Sequence, residues 1–219
     1  MATVRAEMIR TDFLDACDAT RPLLASSSVA EQWEGPSALE HMSVGALAGH
    51  LMRAVTSVDA YLDKPVTDVG AVLDAPGYYA SIEGLVGDDL ESDLHSAIRR
   101  RAEAGAEAGH AGVVQRWDEV LERLRHRLPT EPPHRRLPAL GERLISLNDY
   151  LITRLVELIV HSEDLAVSVG TTPPAFSREA TGAVIECLVG VARVRHGDEA
   201  VITALSRRER DTVNALRVL

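Results

Sequence analysis

The stretch Tyr150-Leu-Ile-Thr-Arg154-Leu-Val-Glu157-Leu-Ile-Val-His161-Ser-Glu-Asp164-Leu-Ala166 decides how the chain is read. Turned at about 100° per residue, it places Tyr150, Arg154, Glu157, His161, Asp164 and Ser168 in one stripe. Leu147, Leu151, Leu158, Leu165 and Val169 border the stripe on one side, and Val156, Val160 and Val167 border it on the other. A solvated polar face normally lies opposite a single apolar stripe. Here large apolar residues flank the polar stripe on both sides, so the helix is expected to be buried with the stripe pointing inward. A buried carboxylate then needs compensation. Two kinds are open at this point. One is an ion-pair network in which Arg154 meets Glu157 or Asp164. The other is a divalent metal held by Glu157 and His161, which at i, i+4 spacing stand about 5–6 Å apart on one face.

Outward from this segment, the composition is that of an all-α protein: 4% aromatic residues, with Ala, Leu, Glu and Arg plentiful. Five or six helices are expected. The first runs from about Thr3 to Leu24, with Ile9, Phe13, Cys17, Thr20 and Leu24 on one face. Ser43 caps a second, to about Leu62. A third runs from Asp88 to about Arg127, with glycines between 105 and 112 able to break it in two. The fourth spans Leu144 to Val169 and stops at Gly170 ahead of Pro173-Pro174. Ser177 caps a fifth, to about Arg195. Residues 25–42, 63–86 and 129–141 are connections. Four helices joined by three connections make an antiparallel four-helix bundle the economical architecture, with one or two extra C-terminal helices.

The second helix offers His50 as a third ligand. Small residues surround it (Gly45, Ala46, Ala48, Gly49 and Ala54), which lets helix axes approach. His41 is the reserve candidate, and His95, His110, His126, His134 and His196 are expected on the surface.

The net charge of −10 argues against nucleic acid and anionic membranes as partners. No apolar stretch is long enough to span a bilayer and no signal core opens the chain, so the expected location is cytoplasmic. There Cys17 and Cys187 are expected as buried thiols. Lys64 is the only lysine, a codon-usage feature of GC-rich genomes.

Two segments carry a family resemblance. Trp33-Glu-Gly-Pro-Ser37 followed by Ser43-Val-Gly-Ala-Leu-Ala-Gly-His50-Leu51 is similar to the first half, and Tyr150 to Ala166 to the second half, of the metal-binding N-terminal domain of mycothiol-dependent maleylpyruvate isomerase, in the DinB-like superfamily. The resemblance covers roughly residues 5–195. It implies a DinB-like bundle over 1–195, a short extension over 196–219 packing on it, and His50, Glu157 and His161 as metal ligands. Zinc is the first choice of metal; nickel, iron and manganese are alternatives. Three protein ligands leave a position for water or a thiol.

The implied chemistry is activation of mycothiol, as cosubstrate, for attack on a small electrophile. Arg154 and Asp164 are the further candidate catalytic residues: Arg154 to hold an anionic substrate group or orient Glu157, Asp164 to accept the ring N–H of a histidine ligand. The isomerase has a separate C-terminal domain after its bundle. Here only about 25 residues follow the fifth helix, among them Arg207, Arg208 and Arg210, so thiol S-transfer is expected ahead of isomerisation. A homodimer through an exposed helix face is the expected assembly. The alternative is a non-catalytic binding or regulatory bundle that keeps the fold, with or without the metal.

Overall fold

The structure, a computed structural model, describes residues 2–66, 70–82, 92–138, 143–210 and 214–218. The elements in chain order are α1 (Ala2–Leu24), α2 (Ser27–Glu31), α3 (Val44–Leu62), β1 (Val72–Leu73), α4 (Ala75–Ala80), α5 (Asp93–Ala106), α6 (Gly109–Arg127), β2 (Arg136–Pro138), β3 (Leu144–Ser146), α7 (Leu147–Ser168), α8 (Arg178–His196) and α9 (Asp198–Ser206). Helix α1, helix α3, the α5–α6 pair and helix α7 form the expected DinB-like all-α bundle, and α8 packs outside it on α7, α4 and α1.

The expected faces are the buried ones. Phe13, Cys17, Thr20 and Leu24 of α1 are inaccessible, as are Trp117, Val120 and Leu124 of α6. Both cysteines are free and buried. Among the described residues no helix is long and apolar enough to cross a membrane.

The long third helix is broken, as the glycines suggested. Gly109 takes φ +70°, a left-handed conformation that glycine adopts without steric cost, and it separates α5 from α6. The beginning expected for that helix, Asp88 to Glu91, lies outside the described residues. Within α5 the buried position is Ala102, while its neighbour Arg101 is exposed. Ala102 is there because α3 and α5 touch backbone to backbone. A Cβ added to Gly49 would stand 2.5 Å from the Ala102 carbonyl oxygen, and one added to Gly105 would stand 3.0 Å from that of Gly49. Only small residues fit between these two helices.

The structure departs from the expected helix at Leu144. Leu144 and Ile145 are buried in a strand, and α7 begins three residues later, where the Ser146 side chain accepts from the Asp149 amide. Strand β3 is the centre of a three-stranded sheet, parallel to β1 (Leu73 opposite Ile145) and antiparallel to β2 (Leu137 opposite Ile145). The sheet has a consequence for the site. Because β1 and β3 run parallel and adjacent, the helices that follow them, α4 and α7, start side by side. The Asp149 carboxylate of α7 accepts from the Ala75 amide of α4 at 3.3 Å. Helix α4 falls within residues 63–86, expected to be connection. Asp74 caps it and Pro76 occupies its first turn.

Arg10 fixes the other end of the bundle. It is 6% exposed and donates to the carbonyls of Leu128, Glu131 and Pro132, turning the chain after α6 back towards α7. In the short extension expected after the fifth helix, Asp198–Ser206 form α9, whose Val201 joins the core.

Candidate metal centre

Helix α7 carries Glu157 and His161 one turn apart, and α3 brings His50 across to them. The close approach at Gly49 sets how deeply α3 sits, and His50 is the next residue. Its Nε2 lies 3.1 Å from Glu157 Oε2, and His161 Nε2 lies 3.4 Å from the same oxygen. The imidazole planes are nearly perpendicular, with centroids 4.7 Å apart. One ligand atom from each residue falls within 4.8 Å of the other two, the only such group among the described residues. All three side chains are 17–19% exposed, so the cluster sits at the rim of the core with access to solvent.

The remaining valences are taken by the protein. His161 Nδ1 is 2.9 Å from Asp164 Oδ2, which leaves its Nε2 facing Glu157. Glu157 Oε1 accepts from the Tyr79 hydroxyl at 2.8 Å, and Arg154 Nη2 stands 3.9 Å from it. One carboxylate oxygen is thus occupied by the protein and the other is turned to the two imidazoles. A tetrahedral zinc with bonds of about 2.0–2.1 Å has ligand–ligand edges of about 3.3 Å. The two N–O separations match that edge, and two imidazole nitrogens with one carboxylate oxygen suit a borderline cation.

The electrostatics are coupled. Burial pushes the Glu157 carboxyl up, but hydrogen bonds from His161 and His50 and the nearby Arg154 charge outweigh it and hold the group well below the usual carboxylate range. Burial pulls His161 down, yet Asp164 and Glu157 on its two nitrogens raise it to about 9. His50 moves the other way, lowered by burial with only partial compensation from Glu157. Without a metal, His161 is therefore an imidazolium between two carboxylates and His50 is neutral.

The rest of the predicted stripe divides by role. Arg154 is buried, donates from Nε to Thr153 Oγ1 at 3.1 Å, and lies over the Tyr150 ring at 4.8 Å. Asp164 bonds His161 and has no contact with Arg154 among those described. Tyr150 donates to Ser57 of α3, and Ser168 accepts from the Ala38 amide, tying the loop before α3 to α7. His41 is exposed beside Glu40 and takes no place in the cluster. Tyr79 was not among the candidates from sequence. The Asp74-Ala-Pro76 start signal could have located its helix, but nothing local says that this helix leans on Glu157.

A family model described as the mycothiol maleylpyruvate isomerase N-terminal domain matches residues 13–166. No curated protein and no solved structure matches the chain.

Proposed function

Since the chain belongs to the mycothiol maleylpyruvate isomerase N-terminal domain family, we infer that it holds a divalent cation through His50, Glu157 and His161 and uses it to direct a low-molecular-weight thiol, mycothiol, at a small electrophile. The observation that supports this most is the shared oxygen: His50 from α3 and His161 from α7 both aim Nε2 at Glu157 Oε2, while Tyr79 takes Oε1. A divalent cation lowers the pKa of a coordinated thiol, so that the thiolate is available near neutral pH. Zinc suits the donor set, and nickel, iron or manganese could occupy it. The side chains supply the rest. Asp164 holds the His161 tautomer with Nε2 free to ligate. Arg154, charged and 3.9 Å from Glu157, would hold an anionic group of the electrophile or orient Glu157. Thiol S-transfer and isomerisation both begin with addition of the thiolate. The cellular setting is cytoplasmic, where Cys17 and Cys187 stay reduced.

The test is metal analysis of tag-free protein after zinc supplementation. One metal per chain is expected, with loss of the metal in His161→Ala while helical circular dichroism is kept; metal far below one per chain in the wild type overturns the reading. Thiol consumption with a panel of electrophiles then addresses the reaction. A second reading, a non-catalytic bundle, has one observation in its favour: as an imidazolium, His161 satisfies Glu157 and Asp164 with no ion present. It predicts no thiol consumption and a stable protein partner on pull-down.

A further inference from the structure

We propose that Tyr79 is a positioning residue of this centre: its hydroxyl, by donating to Glu157 Oε1, keeps Oε2 turned to His50 and His161 and keeps the carboxylate from closing on Arg154. The inference rests on the metal reading above. Arg154 lies three residues before Glu157 on the same helix, a spacing at which a guanidinium and a carboxylate normally pair. A closed pair of that kind has N–O distances of about 2.7–2.9 Å. Here the separation is 3.9 Å, although the Arg154 side chain is only 11% exposed and that of Glu157 17%.

Three contacts account for the gap. Thr153 Oγ1 and the Tyr150 ring hold Arg154 on its own side. Tyr79, 2.8 Å from Oε1, holds the carboxylate on the other. The Tyr79 hydroxyl also lies 2.9 Å from the Thr153 carbonyl oxygen. It has one proton, and the ionised carboxylate is the stronger acceptor. Tyr79 is 2% exposed, so water has little room to take its place.

The backbone that carries the ring is anchored as well. The Tyr79 carbonyl accepts from Arg195 Nη2 of α8 at 3.0 Å, and the start of α4 is tied to Asp149. Removal of the hydroxyl frees Oε1 while Arg154 remains nearby. The carboxylate then rotates towards the guanidinium, and Oε2 leaves the imidazoles.

The experiment is a cobalt(II) titration followed by visible absorption on the wild type, Tyr79→Phe, Tyr79→Phe/Arg154→Met and Tyr78→Phe. Tyr79→Phe is expected to bind about 10–100-fold more weakly, with helical circular dichroism unchanged and Tyr78→Phe binding as the wild type does. The double variant is expected to recover most of that loss, because the competitor for Glu157 is gone; a hydroxyl that served only packing would give no recovery. Wild-type Kd in Tyr79→Phe, or no recovery in the double variant, overturns the proposal and leaves the metal reading standing. No cobalt bound by the wild type overturns both. Should Tyr79→Phe not fold, proton NMR of the wild type decides. A slowly exchanging Tyr79 hydroxyl proton that shifts on adding zinc supports the proposal, and one in fast exchange in both states overturns it.

Discussion

His161 has two carboxylates on its two ring nitrogens, and only Asp164 can stay bonded if Nε2 is to ligate. Metal and proton therefore compete for Nε2. With the imidazolium held to about 9, the affinity for zinc is expected to climb about tenfold per pH unit from pH 7 and level off near pH 9. Isothermal titration over a pH series, in buffers of different ionisation enthalpy, reads both the slope and the proton released. An affinity flat over that range would mean that His161 is neutral before the metal arrives. In the metal-free protein the same shift is a stability term. Because His161 is raised above its ordinary value of 6.5, its contribution is complete below that value and disappears as pH rises through about 9. Glu157 is depressed, so its contribution is present above the ordinary 4.5 and is lost only as pH falls through its lowered value.

At the scale of helices, α3 and α5 are held at backbone contact by Gly49 and Gly105, and this contact sets the depth of His50. Gly49→Ala would place a Cβ 2.5 Å from the Ala102 carbonyl oxygen and 2.8 Å from the Ala106 nitrogen. The helices must separate, at a cost of about 1–3 kcal/mol. Urea denaturation is expected to show that loss, and zinc binding is expected to weaken with it because His50 moves away from α7. The residues that explain this were largely legible in the sequence. The polar stripe between leucines and valines marked α7 as an inward-facing helix, and the small residues around His50 marked α3 as the helix that approaches closely. The start of α7 was misplaced because Leu144 and Ile145 satisfy a helical period as well as a strand does. Strands of two or three residues have no period to detect, so the sheet was missed, and with it the reason that α4 runs beside α7. Tyr79 followed from that omission. Its role depends on which strand β1 pairs with, a long-range fact that no local pattern carries.

Across the whole molecule, His50 on one helix and Glu157 and His161 on another make the centre a link between α3 and α7, helices far apart in sequence. A cation bound to the folded state alone stabilises by about 2.7 kcal/mol at a hundredfold excess over Kd. For a chain of this size each kcal/mol moves Tm by about 2–4 °C. Differential scanning calorimetry is thus expected to show Tm rising by about 5–10 °C with zinc and returning with chelator. A Tm indifferent to zinc would separate the cluster from the fold.

The matched segment ends at residue 166, yet part of what steadies Glu157 lies beyond it. Arg195 of α8 grips the carbonyl of Tyr79 with one nitrogen and that of Val218 with the other. The span of the family model and the set of residues packed around Glu157 in this chain are consequently different. His50, Glu157 and His161 all lie within the matched span, while Arg195, which holds the Tyr79 backbone, lies outside it. A substitution in α8 can therefore alter the surroundings of Glu157 without touching His50, Glu157 or His161.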